Sequence, residues 1–105
     1  MNRERLPNRR RGDLVTFQHE GITYVAQVSR YEDGRLAEIF MDAGKPGDTI
    51  DIMAKDLATL ASIALQHGVP VESITAALSQ ERDGAMRGPL GVMLAKIDEL
   101  KGRAL

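Results

Sequence analysis

Cysteine is absent from this chain of 105 residues. Its absence excludes disulfides, thiolate zinc sites, iron–sulfur clusters and cysteine nucleophiles. The two histidines, His19 and His67, are far apart in sequence, and neither lies in a motif with metal-ligand spacing. The serines lack the sequence context of a nucleophile elbow. We therefore predict no metal site, no cofactor and no catalytic residue.

Long hydrophobic runs are also absent, because no apolar stretch approaches the ~20 residues that a membrane-spanning helix requires. The opening residues, MNRER, lack the apolar core of a signal peptide. Charged residues make up 28% and hydrophobic residues 43% of the chain, which is typical of a globular domain with one small core. We expect a cytoplasmic protein with no membrane partner.

The net charge is only −1, but it is unevenly distributed. Residues 1–12 hold five arginines against one glutamate and carry +4, so residues 13–105 carry −5. We predict a basic flexible arm over 1–12 and a single domain over 13–105. The arm could contact an anionic partner such as nucleic acid, or lie on its own acidic body. Its arginines are Arg3, Arg5, Arg9, Arg10 and Arg11.

From Asp13 onward, hydrophobic and polar residues alternate with a period of two, which is typical of half-buried strands. Gly21 and the pair Asp33-Gly34 mark two hairpin turns. The pattern predicts a three-stranded antiparallel meander over residues 14–18, 22–31 and 35–41. Tyr24 shares a strand face with Ile22 and is predicted to lie in the core.

Three helices are predicted to follow the meander. The first and longest spans 49–67, with Gly68 as its C′ residue and Pro70 just beyond. A short helix covers 71–78, residues 80–87 form a loop, and Pro89 starts the third helix. This order of elements predicts an α+β fold, with the helices covering one face of the sheet.

The long helix should meet the sheet through its apolar residues, which recur at helical spacing. These are Ile50, Met53, Leu57, Leu60, Ala61 and Ala64. A wetter face should point away from the sheet. It comprises Asp51, Lys55, Thr59, Ser62 and Gln66. The apolar stripe is wider than three strands can bury, and the outer strands are unpaired edges, so we predict a homodimer.

The stretch EIFMDAGKPGD joins the third strand to the long helix and offers a candidate anion site. A glycine-lysine loop before a helix could hold a phosphate or nucleotide, with Arg35, Gly44, Lys45 and Gly47 as its candidate residues. The loop departs from a P-loop, because it is short and has proline where a P-loop has Ser or Thr. The alternative is a tight turn into a helix capped by Asp48.

Glu38 shares its strand face with Leu36 and Phe40. A carboxylate there could serve acid–base chemistry in a dry pocket. We favour a structural role for Glu38, either as a guard against aggregation on an edge strand or in an ion pair with Arg30 or Arg35.

Three segments resemble one known family when they are taken together. DGRLAEIF, GKPGD and LASIALQHGVPVESITAAL are similar to the C-terminal region of the vitamin B12-dependent (class II) ribonucleotide reductases, which contains the TSCPD domain. The similarity covers roughly residues 15–78 and extends more loosely to 100. RLPNRRRG and GPLG resemble small stand-alone alphaproteobacterial proteins of the same type.

The same resemblance limits what this chain can do. The name-giving Thr-Ser-Cys-Pro-Asp run corresponds to residues 86–90, MRGPL, where only Pro89 matches and Gly88 replaces the cysteine. The reductases also require a radical-bearing cysteine, a redox cysteine pair and a large barrel. The resemblance therefore implies a non-catalytic accessory module without intrinsic reductase activity. Its implied partner is a protein of nucleotide metabolism, such as a reductase. The alternatives are an anion-binding regulator and a weak nucleic-acid binder.

Overall fold

A computed structural model of the chain describes residues 3–4 and 11–103. The order of the elements is three strands followed by three helices, so the predicted α+β architecture is confirmed. The elements are β1 (Arg11–His19), β2 (Ile22–Arg30), β3 (Leu36–Ala43), α1 (Thr49–Gln66), α2 (Val71–Ala77) and α3 (Pro89–Arg103). The first strand begins three residues earlier than predicted and extends into the segment predicted to be the arm.

The three strands form an antiparallel sheet in the order β1-β2-β3. Glu20 and Gly21 both have positive φ and link β1 to β2 in a two-residue hairpin, whose backbone twist matches that of the strands. In the second turn, Gly34 also has positive φ and its N–H donates to the carbonyl of Tyr31 at 2.9 Å. Both turns lie where glycine predicted them.

One face of the sheet and one face of α3 form most of the core. Tyr24 is buried, as predicted, and its ring stacks on that of Phe17 with centroids 5.2 Å apart. The buried core residues of the strands are Val15, Phe17, Tyr24, Ala26, Val28, Ala37, Ile39, Met41 and Ala43. Those of α3 are Leu90, Met93, Leu94 and Ile97.

Helix α1 meets this body through a different face from the predicted one. Its buried residues are Asp51, Ala54, Ala58, Ala61, Ser62, Leu65 and Gln66. Of the predicted apolar face, Ala61 is buried, but Met53 and Leu60 are 59% and 66% exposed. The helix lies along β3, the edge of the sheet, where small residues allow close approach and polar ones bind free backbone groups. The prediction was wrong because it assumed packing on the sheet's flat surface.

The C-terminus of α1 is a Schellman motif, in which two backbone N–H groups return to the last turn. Gly68 has φ 91° and donates to the Leu65 carbonyl at 3.0 Å, and Val69 donates to the Ala64 carbonyl at 3.0 Å. The left-handed conformation at residue 68 favours glycine. Here the sequence prediction and the structure agree to within one residue.

The segment before α3 is a bridged loop rather than an open one. Gln80 and Met86 form an isolated antiparallel bridge, and the N–H of Arg87 donates to the carbonyl of Ser79 at 3.0 Å. A Cβ at Gly91 would overlap the side chain of Met86. Glycine at this position therefore lets the loop pack directly on the first turn of α3.

Candidate functional site

Three polar side chains of α1 bind the free edge of β3, and we call Asp51, Ser62 and Gln66 the edge-binding face. Ser62 Oγ accepts the N–H of Ile39 at 2.8 Å and lies 3.1 Å from its carbonyl oxygen. Gln66 Nε2 donates to the carbonyl of Ala37 at 2.9 Å. Asp51 Oδ1 accepts the N–H of Ala43 at 3.0 Å. These contacts satisfy buried backbone groups that an edge strand otherwise leaves open.

The carboxylate of Asp51 also organises the glycine-lysine loop. Its Oδ2 accepts the N–H of Gly47 at 2.9 Å and pairs with the ammonium group of Lys55, which also lies 3.1 Å from Asp42. The hydrogen bond from Lys55, followed by those from Gly47 and Ala43, lowers the pKa of Asp51 to about 2. Asp51 is 2% exposed, so a fixed anion of the protein itself occupies the position next to the loop.

Asp48 stands at the N-cap position of α1 but does not act as predicted. Among the described residues, its side chain makes no capping hydrogen bond. Its backbone N–H donates to the carbonyl of Lys45 at 3.2 Å, and its own carbonyl accepts the N–H of Ile52. The carboxylate that serves this helix start is Asp51, which reaches back to the N–H of Gly47.

The predicted anion-binding residues do not lie together. Arg35 precedes β3 and the loop of Gly44, Lys45 and Gly47 follows it, so the strand separates them by about 25 Å at ~3.3 Å per residue. The N–H of Gly44 donates to the Thr23 carbonyl at 3.1 Å. Lys45 is exposed. Anion binding by these residues stays a prediction, and chemical shifts of the loop amides on titration with nucleoside triphosphates would test it.

Arg35 takes part in a cluster of charged groups at the start of β3. Its guanidinium pairs with Asp33 at 2.7 Å and with Glu4 at 3.1 Å, and it lies 4.7 Å from the centre of the Tyr31 ring. The hydrogen bonds that Arg35 donates to the carboxylates of Glu4 and Asp33 raise the pKa of Arg35. Backbone and side-chain hydrogen bonds from Arg35 lower the pKa of Asp33.

Part of the predicted arm lies on the domain. The Nε of Arg3 donates to the side-chain oxygen of Gln66, and the N–H of Glu4 donates to the carbonyl of Gln66 at 2.6 Å. The predicted arm residues Arg5, Arg9 and Arg10 lie outside the described residues, as does the side chain of Arg11. Binding of nucleic acid by the arm stays a prediction, testable by retention of the full chain on DNA at low salt.

Glu38 is half-buried and lies with Phe40 on the face of β3 opposite the core, whereas Leu36 packs against the core. The two arginines proposed as its partners have other described contacts. Arg30 lies 3.4 Å from Asp13 and donates to the carbonyl of Gly34, and Arg35 pairs as described above. The structural role of Glu38 stays a prediction.

The outer face of α1 is the largest feature that the sequence prediction misplaced. We call Ile50, Met53, Leu57, Leu60 and Ala64 the outer stripe; all five are exposed or half-buried. Ile52 and Ile63 lie beside the stripe and are also exposed. Their spacing of three and four residues was visible in the sequence, but it could not show whether the sheet or another molecule covers them.

A cleft of about 810 Å³ opens between the C-terminal end of α1, α2 and α3. Leu36, Leu65, Val71 and Ile97 are among its apolar lining, and Arg30, Arg35, Glu72 and Asp98 are its charged lining residues. Both arginines are already paired with carboxylates. Among the described residues, no three His, Cys, Asp or Glu side chains cluster as metal ligands, and no helix is long and apolar enough to cross a membrane.

The described structure is thus a small α+β domain with a polar helix-to-edge contact and an exposed apolar helix face. The family model of the TSCPD domain matches residues 4–98, nearly the whole chain. The chain belongs to the TSCPD domain family. The resemblance noted in the sequence is therefore confirmed, and the match begins further toward the N-terminus than the compared segments indicated.

The relatives of this TSCPD domain are much larger proteins. It is 36% identical over 77 residues to a vitamin B12-dependent ribonucleotide reductase of Agrobacterium fabrum, covering 73% of this chain and 6% of that protein. A reductase of the same name from Rhodopirellula baltica is 39% identical over 80 residues, covering 76% and 8%. One from Streptantibioticus cattleyicolor is 31% identical over 80 residues, covering 76% and 13%. No solved structure matches the chain.

Proposed function

We propose that this TSCPD domain is a non-catalytic interaction module that acts in the cytoplasm by binding another protein through the outer stripe of α1. The main support for this proposal is the exposure of large apolar side chains on a helix whose other side packs against β3. Contiguous apolar surface of this kind marks interaction sites on protein surfaces. The absence of cysteine supports a role without reductase chemistry.

The relatives suggest a class of partner. The chain spans 6–13% of the length of the three reductases compared above, so it corresponds to a small part of each. A domain that corresponds to such a part is suited to bind where that part of the reductase binds, or to bind that part itself. We therefore propose a vitamin B12-dependent ribonucleotide reductase as the protein partner to test first.

The test mixes the purified chain with the purified reductase from the same organism and measures complex formation by analytical ultracentrifugation. We expect a complex that Leu60→Asp weakens, because the substitution places a charge in an apolar contact. Leu14→Asp is the matched control, since Leu14 is 68% and Leu60 66% exposed, but Leu14 lies on β1. Equal binding by the two variants would reject the outer stripe, and no complex with the wild type would reject this partner.

A further inference from the structure

The outer stripe of α1 follows a heptad spacing that the domain itself does not use. Ile50, Met53, Leu57, Leu60 and Ala64 succeed one another in alternating steps of three and four residues. This spacing places side chains in one seam along a helix and is the pattern through which two helices pack side by side. Among the described residues, most of the seam stays exposed, because α1 meets the sheet through its edge-binding face and its alanines.

The exposed area fits a small protein interface. The large exposed members of the outer stripe are Ile50, Met53 and Leu60, which are 42–66% exposed. At ~100 Å² for a fully exposed side chain of this size, they present about 170 Å² of apolar surface. Small, dissociable interfaces bury less than about 600 Å² on each partner, roughly half of it apolar. The stripe and its polar neighbours therefore fit a dissociable helix-to-helix contact.

We propose that the occupant is a second copy of this chain, with the two α1 helices packed antiparallel about a two-fold axis between Leu57 and Leu60. This inference rests on the proposed function, since it names a partner for the same outer stripe. A symmetric contact requires one surface to be complementary to itself. Four residues of the outer stripe, Met53, Leu57, Leu60 and Ala64, meet that requirement in this register.

In the antiparallel register, Leu57 of each copy faces Leu60 of the other, and Met53 faces Ala64. A large flexible side chain thus meets a small one on both sides of the axis, as dense packing requires. A charged residue beside the axis would lie close to its own copy, but the two residues there are leucines. The centre of the contact is therefore apolar and free of like-charge repulsion.

A parallel arrangement fits the same residues less well. Each side chain would then face its own copy, so Met53 would meet Met53 and Ala64 would meet Ala64, leaving the contact crowded at one end and hollow at the other. The helix dipoles would also point the same way along the contact, whereas antiparallel helices place opposite partial charges side by side. These two differences favour the antiparallel pair.

The first test is sedimentation of the full chain over a range of concentrations. We expect a monomer–dimer equilibrium, with Leu60→Asp raising the dissociation constant about a hundredfold or more, because two charges enter the apolar seam. Leu14→Asp should leave the equilibrium unchanged. Far-UV circular dichroism of both variants checks that the fold persists. A wild-type chain that is monomeric at its highest soluble concentration would overturn the inference.

The second test determines whether the two helices are antiparallel or parallel. Because the chain has no native cysteine, every disulfide that forms must join introduced cysteines. Under mild oxidation, a mixture of Met53→Cys and Ala64→Cys chains should form a disulfide between the two variants. Met53→Cys alone should not, because its two copies lie about 16 Å apart along the helices and a disulfide needs Cα atoms within about 7 Å. Cross-linking of Met53→Cys with itself, without the mixed product, would show a parallel pair. Thr16→Cys, exposed on β1, controls for random collision.

The two proposals fail in distinguishable ways. A chain that stays monomeric but binds the reductase through Leu60 overturns the antiparallel pair and leaves the proposed function standing. A dimer disrupted by Leu60→Asp, together with no binding to the reductase, supports the pair and removes that partner.

Discussion

Along helix α1, most of the buried side chains are small or polar, whereas most of the large apolar ones are exposed. Ser62 and Asp51 are buried, while Leu60 and Met53 are exposed. The difference follows from what each side meets, because the edge of a strand requires hydrogen-bonding groups and close approach. Hydrophobicity alone therefore does not show which side of a helix faces inward when that helix packs on a sheet edge.

The largest effect on stability should come from enlarging a side chain on the side of α1 that packs against β3. Ala58→Leu adds three carbons to a site that is 1% exposed against β3, and we expect a loss of about 3 kcal/mol in the free energy of unfolding. Urea denaturation at a fixed low concentration measures it. Thr59→Leu, the exposed neighbour, should change stability by less than about 0.5 kcal/mol. Equal losses at the two positions would show that residue 58 does not pack as described.

Removing a polar group from the side of α1 that packs against β3 should reduce the stability somewhat less. Ser62→Ala leaves the buried N–H of Ile39 without its acceptor, for an expected loss of about 2 kcal/mol. Thr59→Ala is a matched control, since Thr59 and Ser62 each donate a hydroxyl hydrogen bond to the carbonyl four residues earlier, but Thr59 is exposed. Urea denaturation measures the loss in the free energy of unfolding for both variants. Similar losses would contradict the contact of Ser62 with β3.

A smaller effect should appear as a dependence on pH. The pKa of Asp51 is about 2 in the folded chain and ~3.9 when unfolded, so its carboxylate stabilises the fold above pH ~4. That contribution is lost as the pH falls toward 2. The difference in urea midpoint between wild type and Asp51→Asn should therefore shrink between pH 5 and 2. A difference that stays constant would contradict the carboxylate's role, and Asp56→Asn, exposed on α1, is the control.

The smallest effect should lie on the surface, at the charged cluster around Arg35. Its pairs with Glu4 and Asp33 are exposed, so Arg35→Ala should lower the unfolding temperature only slightly. Added salt should reduce the difference between variant and wild type. Thermal unfolding at low and high salt measures both quantities. A larger, salt-independent loss would indicate that packing on Tyr31 contributes more than charge.

Much of the fold could be predicted because it depends on local patterns. The alternation of hydrophobic and polar residues predicted the strands, and glycines predicted the turns, where the structure gives them positive φ. Gly68 predicted the end of α1. The orientation of α1 could not be predicted, since the hydrogen bonds of Ser62 and Gln66 join residues more than twenty positions apart. The spacing of the outer stripe could be recognised in the sequence, but the exposure of the stripe depends on the orientation of α1.

The binding of α1 to β3 also limits how the sheet can grow. Ala37, Ile39 and Ala43 already use outward backbone groups in contacts with Gln66, Ser62 and Asp51. An extended peptide adding a fourth strand would have to displace these side chains at β3, whereas β1 is the opposite border of the sheet. Strand exchange and fibril-like stacking are thereby directed away from one border, and any partner that joins by strand addition must approach β1.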